Sequence, residues 1–349
     1  MSARPGAALT ATPWRLPAAD LEAGLERCAT DLEAWRGAHV LVTGGTGFLG
    51  SWLVASLLHA QERLGLGLRL ELLTRDPASV SALSGQCLRL VQGDVRTAGG
   101  LGQLDLIVHG AASSSAAFGR GDGEPRAMAS TIIEGTMAVL EAAVQGSSRV
   151  LLLSSGAVYG RQVGEAVSEG ETTAPDTMAP ASAYAQAKRM AETLCACATS
   201  AGDAAAVVAR LFSFVGPRIP LAAHFAAGNF LDDALHRRPV RVRGDGRDVR
   251  SYLYAGDLPE WCWALASRGQ AGHAYNVGSP EGLTIGELAT RVAALVEPPL
   301  AVRVDGEPSE EPPGRYVPST ALAERELGLS PRTAVNPALR RTLGWLAGS

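Results

Sequence analysis

Thr43-Gly44-Gly45-Thr46-Gly47-Phe48-Leu49-Gly50 joins an apolar run, HVLV at 39–42, to the helical run FLGSWLVASLL at 48–58. A glycine-rich turn says little alone. Between a strand and the helix it opens, it has the context a phosphate cradle requires. Gly44 permits the tight turn, Gly47 lets backbone approach a pyrophosphate at the helix N-terminus, and Gly50 allows close helix–sheet packing. Thr46, Phe48 and Leu49 complete the set of expected dinucleotide contacts in the turn.

Outward from this turn, short apolar runs alternate with helical segments. RLELLTR (69–75), LRLVQGD (88–94), DLIVHGA (105–111), RVLLLSS (149–155) and AAVVARLF (205–212) are nearly continuous in hydrophobicity, as strands covered on both faces are. Trp52–Leu64 and Thr136–Val144 carry helical spacing. Repeated strand–helix alternation predicts an α/β fold with a doubly wound parallel sheet. Past Gly216 the order is less regular, with helices expected at His224–Leu235, Thr284–Val296, Thr320–Leu327 and Pro337–Leu346 and an acidic, proline-rich loop, GEPSEEPPGR (306–315), among them. The reading is therefore an extension over 1–37, a dinucleotide-binding domain over 38–215, and a smaller substrate-binding lobe over most of 216–349, with segments near 250–280 returning to the first domain. Residues 1–17 are rich in Ala, Pro and Gly and expected to be loose. Asp20 is expected to cap a helix whose apolar stripe is Leu21, Leu25, Cys28, Leu32 and Trp35.

Bulk composition narrows the function. Of 349 residues 46% are hydrophobic and 19% charged, with a net charge of −4, which fits a well-buried core and argues against a nucleic-acid surface. No apolar run is read as approaching the ~20 residues that span a bilayer, so no membrane partner is expected. The start has no contiguous apolar segment of the kind a secretory signal carries. Cys28, Cys87, Cys195, Cys197 and Cys262 are odd in number with no CxxC pair; buried thiols in the cytoplasm are the expectation. Six histidines without HxxxH or HExxH spacing give no metal site.

The end of the second strand reports on the ribose. Thr74 stands where an NAD-binding fold usually places an acid, and Arg75 could pair with a 2′-phosphate. This favours NADP(H) slightly over NAD(H), with Asp76 as the acid in the NAD alternative. Asp94 and Val95, after the third strand, are expected near the adenine.

Lys188 is the only lysine; the other 30 of the 31 basic side chains are arginine. Tyr184 lies four residues earlier, so both side chains leave one face of a helix. A nearby ammonium lowers a tyrosine pKa and brings the phenol into acid–base range, and a bulkier guanidinium is a poor substitute for it. At the carboxyl end of RVLLLSS, Ser155 is expected to hold a substrate oxygen beside Tyr184, and Ser154 to be structural.

In order, TGGTGFLG, GDV, HGAA, SSGAVYG, YAQAK and YNVGS resemble the motif set of extended short-chain dehydrogenases/reductases, and more closely that of the NAD-dependent epimerase/dehydratase family of sugar-nucleotide enzymes. The resemblance runs from about Ala38 to the C-terminus. It implies a Rossmann-type domain with a small C-terminal lobe gripping a nucleoside-diphosphate sugar, a homodimer, and a catalytic set of Ser155, Tyr184 and Lys188. It also implies cofactor contacts at Ala111 and Ala112, and substrate contacts at Ser213, Asn229, Arg250 and Arg315.

Departures from the family pattern refine the expected activity. Family dehydratases carry Asp-Glu directly after the catalytic Ser/Thr, and the decarboxylases carry Glu at the second position; here these are Gly156 and Ala157. Elimination or decarboxylation is disfavoured unless Glu165, Glu169 or Glu171 reaches in. Ile132 and Ser213 replace two family asparagines. The expected activity is reversible hydride transfer at a sugar carbon, C4 by preference, as an epimerase. The first alternative is an NADPH-dependent reductase of a 4-keto sugar; dehydratase or decarboxylase chemistry and a non-catalytic dinucleotide sensor rank below.

Overall fold

The computed structural model describes residues 14–80, 87–97, 102–112, 125–162, 164–221, 225–308 and 310–348. The chain opens with α1 (Ala18–Glu33), then alternates: β1 (His39–Thr43), α2 (Phe48–Leu64), β2 (Arg69–Thr74), β3 (Leu88–Gln92), β4 (Leu106–His109), α3 (Pro125–Gly146), β5 (Arg149–Ser155), α4 (Ala183–Ala201) and β6 (Ala205–Leu211). The six expected strand runs all form strands. Val40, Leu41 and Val42 in β1 and Val150, Leu151 and Leu152 in β5 are at most 1% exposed, because helices cover both faces of the sheet. β3 lies at an edge and is half open.

The lobe then follows as β7 (Phe214–Val215), α5 (Ala226–Leu235), β8 (Val240–Val242), β9 (Val249–Ser251) and β10 (Leu253–Tyr254), after which the chain continues through α6 (Leu258–Arg268) and β11 (Ala274–Val277). It finishes with β12 (Gly282–Thr284), α7 (Ile285–Ala293), β13 (Val302–Val304), β14 (Arg315–Tyr316), α8 (Ala321–Leu327) and α9 (Val335–Ala347). The main sheet has seven strands in the order β11-β6-β5-β4-β1-β2-β3, and every pairing is parallel. The order reverses between β1 and β4, and ligands of doubly wound sheets bind outside the carboxyl ends of the strands at such a switch point. β11 joins β6 at the far edge, with α6 buried beneath the sheet through Trp261 and Trp263. Phe230, Leu231, Val240, Leu288 and Leu339 form the lobe's own core.

Three expectations change. Asp20 does not cap α1. Pro17 holds the N-cap position, and the Asp20 carboxylate accepts from the Tyr254 hydroxyl at 2.5 Å and from Arg341 at 2.8 Å. The buried Tyr254 hydroxyl and the exposed Arg341 guanidinium, both distant in sequence, take the carboxylate, and the helix is thereby tied to the lobe. Second, α3 is 22 residues long and, by length and composition, apolar enough to cross a membrane, so the view that no run approaches that length is corrected. Met128, Ile132, Val139 and Ala143 on α3 are buried in the core that it shares with α4. Third, only Cys28, Cys195 and Cys262 are buried; Cys87 is half-buried and Cys197 exposed, all five being free thiols. The looseness expected of residues 1–13 falls outside the described residues.

Candidate active site

A cleft of about 1190 Å³ lies along the carboxyl ends of the central strands, running from the glycine-rich turn to the catalytic candidates on α4. A single small-ligand pocket spans roughly 300–1,000 Å³, so this one has room for a dinucleotide and part of a second molecule. The turn is shaped by steric necessity. Gly44 has φ +73°, and a Cβ there would lie 2.4 Å from the carbonyl carbon of Gly110. A Cβ on Gly50 would lie 2.3 Å from the carbonyl oxygen of Gly44. At Gly47 the nearest atom would be 3.4 Å away, so the fold itself does not exclude a side chain there, whereas an approaching phosphate would. Gly47 is the N-cap of α2, and no side chain caps that helix. An uncapped helix N-terminus leaves amides for an anion, and these residues fit the pyrophosphate of a dinucleotide.

Thr46, Phe48, Leu49, Val95, Ala111 and Ala112 all line the cleft. Beneath Ala111 runs a buried seam: its amide donates to the Thr43 hydroxyl (3.2 Å), which bonds His109 Nδ1 (2.8 Å), while His109 Nε2 bonds the Thr136 hydroxyl at 3.1 Å. Thr136 donates to the Ile132 carbonyl at 2.7 Å, so Nε2 carries the proton and Nδ1 accepts. Burial, reinforced by the Lys188 charge, pushes the His109 pKa down to about 3, and the ring stays neutral.

At the ribose end, Thr74 is buried and its hydroxyl bonds the backbone of Asp76. Asp76 accepts the Ala78 amide at 3.1 Å. Arg75 lines the cleft with its side chain exposed. Asp94 also lines it, but Arg96 holds both of its oxygens at 2.9 Å and keeps its pKa at about 2.

Tyr184 and Lys188 face the same cleft from α4, opposite Ser155 at the end of β5. Lys188 is 3% exposed, donates to the Leu153 carbonyl at 2.7 Å, and has its pKa lowered by burial to about 8. The Lys188 ammonium bonds the Leu153 carbonyl, and the Tyr184 pKa is raised where a lowered one was expected. Burial raises the Tyr184 pKa, and the neighbouring Ser155 hydroxyl opposes that rise. The i, i+4 spacing placed both groups on one face, but the ammonium bonds the strand instead of the phenol. Ser154 donates to Glu192 at 2.5 Å, and Arg210 holds Glu192 at 2.7 Å, a partly buried polar tie between β5, β6 and α4.

Beside Ser155 stand two aromatic residues that no local motif marks. A Cβ on Gly156 would lie 2.7 Å from the Phe212 ring, so that ring fills the space a side chain at 156 would need. Tyr316 stacks on Phe212 with ring centroids 4.7 Å apart, and its hydroxyl lies 3.2 Å from Ser155 Oγ. Glu165, Glu169 and Glu171 do not line the cleft. Glu169 accepts the Asn276 amide at 2.8 Å and Glu171 the Ser168 amide at 3.0 Å.

On the lobe side, Ser213, Arg250 and Arg315 line the cleft. Arg250 pairs with Asp248 at 3.1 Å, and Arg315 donates to the Glu165 carbonyl at 3.2 Å. Asn229 lines an adjoining cavity of about 710 Å³. Arg161, Ala226, Asp248, Ile285 and Gly314 border both spaces. Arg161 and Asp248 were not anticipated. Ile132 is buried in the core, where the family asparagine is missing.

The model of the NAD dependent epimerase/dehydratase family matches residues 40–278. UDP-glucuronic acid decarboxylase 1 of Arabidopsis thaliana is 28% identical over 302 residues, covering 86% of this chain and 68% of that protein. DesIV, a dTDP-glucose 4,6-dehydratase of Streptomyces venezuelae solved with NAD bound, superposes with a TM-score of 0.75 at 25% identity, covering 89% of this chain and 97% of that one. A UDP-glucose 4-epimerase of Thermotoga maritima shares the fold with a TM-score of 0.76 at 22% identity, covering 89% and 99% of the two chains.

Proposed function

The chain belongs to the NAD dependent epimerase/dehydratase family, and within it we propose a nucleotide-sugar epimerase acting by reversible hydride transfer at a sugar carbon, C4 by preference. One observation carries this reading: the Ser155–Tyr184–Lys188 set shares a cleft whose catalytic end holds the Phe212 ring over Gly156, where a dehydratase carries Asp, and has Ala157 where a dehydratase or decarboxylase carries Glu. Identity to decarboxylases and dehydratases at 28% reports shared ancestry of the scaffold; the chemistry is argued from the site.

When bound, a nicotinamide dinucleotide supplies the hydride acceptor and donor. Gly44, Gly47 and Gly50 cradle its pyrophosphate, and Lys188 holds its ribose. Tyr184 takes the proton from the sugar hydroxyl in the oxidative half and returns it in the reductive half, while Ser155 holds the sugar oxygen in place. Arg250 and Arg315 meet the diphosphate, and Ser213 and Asn229 contact the rest of the nucleotide sugar. An epimerase needs the keto sugar to present its other face before reduction, and the open volume of the cleft leaves room for that turn.

Arg75 favours a second reading, an NADPH-dependent reductase of a 4-keto sugar, since an exposed guanidinium at the ribose end suits a 2′-phosphate. The same residue carries the preference for NADP(H); the NAD bound in the related dehydratase DesIV weighs toward NAD(H). The protein works as a homodimer through α3 and α4, whose Met137, Val144 and Met190 are exposed, and in the cytosol, where five free thiols persist. Incubation with a panel of UDP- and dTDP-sugars, with and without NADPH, tests the reading. Product without net cofactor oxidation supports the epimerase, stoichiometric NADPH loss on a keto sugar supports the reductase, and release of water or carbon dioxide overturns both.

A further inference from the structure

We propose that the N-terminal extension is a latch on the bound dinucleotide, in which Trp14 holds Arg218 against the glycine-rich turn and Arg218 is a positioning residue for that turn. The inference rests on the reading of the turn as a pyrophosphate cradle, and it brings in a part of the chain that precedes the family match at 40–278.

Arg218 sits where glycine is preferred. The Ile219 amide donates to the Gly216 carbonyl at 3.0 Å, closing a four-residue turn with Pro217 second and Arg218 third. Proline second and a positive φ third are the marks of a type II turn, whose third position favours glycine. Arg218 holds it at φ +73°, a backbone that side-chain-bearing residues adopt only at a cost. Such outliers persist where the surroundings over-determine them, and they gather at ligand clamps. The Trp52 indole fixes the turn by donating to the Pro217 carbonyl at 3.1 Å. The arginine adds reach: its guanidinium donates to the Thr46 carbonyl at 3.3 Å.

That carbonyl belongs to the peptide joining Thr46 to Gly47, and the Gly47 amide donates to the Gly44 carbonyl at 3.2 Å. A planar trans peptide points its C=O and N–H in opposite directions, so Arg218 and Gly44 grip this unit from its two sides. It leads directly into α2, whose first amides are the ones an anion meets. Arg218 does not itself line the cleft; it acts through the turn.

The extension closes over this contact at two points. Trp14 lays its ring on the guanidinium, with Cζ 4.2 Å from the ring centroid, a cation–π contact. Two residues on, Leu16 is buried with Trp52 and Ala255, and the cleft-lining Phe48 and Leu49 pack against that cluster. The extension is anchored in turn, since the Trp345 indole donates to the Arg15 carbonyl at 3.0 Å and Asp20 accepts from Tyr254 and Arg341. Residues 14–20 thus link the last helix of the lobe to both flanks of the cofactor turn. An enzyme that oxidises and reduces one dinucleotide in place has a use for such a latch, because release between the two half-reactions would strand a keto sugar.

Arg218→Gly tests this, because it removes the guanidinium while giving the turn the residue its backbone prefers. The thermal unfolding midpoint should therefore stay within about 3 °C of wild type or rise. The rate is read on the loaded full-length protein, using whichever of NADH and NADPH wild type binds more tightly, chased with excess oxidised dinucleotide and followed by the fluorescence of the reduced one. Release should be about 5- to 30-fold faster in Arg218→Gly. Trp14→Leu should speed release about 2- to 5-fold on its own and add nothing in the Arg218→Gly background. Release unchanged in Arg218→Gly, or quickened equally by Trp14→Leu in both backgrounds, overturns the latch. A midpoint lowered by about 10 °C or more would make Arg218 a structural support and overturn its positioning role. Wild type that binds neither dinucleotide would sink the cradle reading and the latch with it, a result distinct from a bound dinucleotide that every variant releases at the same rate.

Discussion

Replacing Lys188 with methionine should change the stability of the unliganded protein in a pH-dependent way while removing its activity. The ammonium is buried at 3% exposure and its pKa is lowered from an ordinary 10.5 to about 8. A depressed lysine pKa means that folding penalises the charged form. Below pH 8 both folded and unfolded chains hold the proton and the full cost of ~3 kcal/mol applies. Between pH 8 and 10.5 the unfolded chain binds more protons than the folded one, so wild-type stability rises with pH. Above 10.5 both are neutral and the cost is gone. Lys188→Met lacks this term. At pH 7 its gain is offset by the lost bond to the Leu153 carbonyl, about 1–3 kcal/mol with the carbonyl left unpaired, so the net change there is between zero and about 2 kcal/mol. The offset applies equally at high pH. The stability of the variant relative to wild type should therefore fall by ~3 kcal/mol between pH 7 and pH 11, read by denaturant unfolding at both. A difference that stays flat across that range would refute the idea that Lys188 is held charged against its burial.

Two further perturbations examine the cofactor end of the cleft. In Gly50→Ala the new Cβ would meet backbone atoms of Gly44 and Gly45 at 2.3 and 2.8 Å, so α2 must shift away from the turn; we expect dinucleotide affinity to drop about 100-fold or more and stability by about 1–3 kcal/mol, measured by calorimetric titration and unfolding. Arg75→Ala should weaken NADP(H) about 10- to 100-fold with NAD(H) affinity changed less than about 3-fold, by fluorescence titration of the two reduced cofactors; equal losses for both would remove Arg75 as a 2′-phosphate ligand.

The sheet was legible because its strands are unbroken apolar runs such as Val40-Leu41-Val42, a pattern that only two-sided burial rewards. Helix limits were less so. α3 was read from Thr136 but begins at Pro125, since Arg126 to Gly135 mixes apolar residues with Ser, Thr and Glu and gives a weak period. Asp20 looked like a cap because capping is a local rule, whereas its partners Tyr254 and Arg341 are distant in sequence. The same limit applies at the site. Ser155, Tyr184 and Lys188 announce themselves through short motifs on one strand and one helix. Tyr316 reaches Ser155 across 161 residues, and nothing near it in sequence marks the contact. The spacing of Tyr184 and Lys188 revealed their common face but not that the ammonium would bond Leu153.

The central claim is that a hydride leaves and returns to one sugar carbon while Tyr184 handles the proton. It is tested most directly with a UDP- or dTDP-hexose deuterated at C4, incubated with the protein and catalytic cofactor and followed by NMR. Our account expects the C4-inverted sugar with its deuterium retained, and no product from Tyr184→Phe. Label washed out into solvent, or inversion undiminished in that variant, would contradict it.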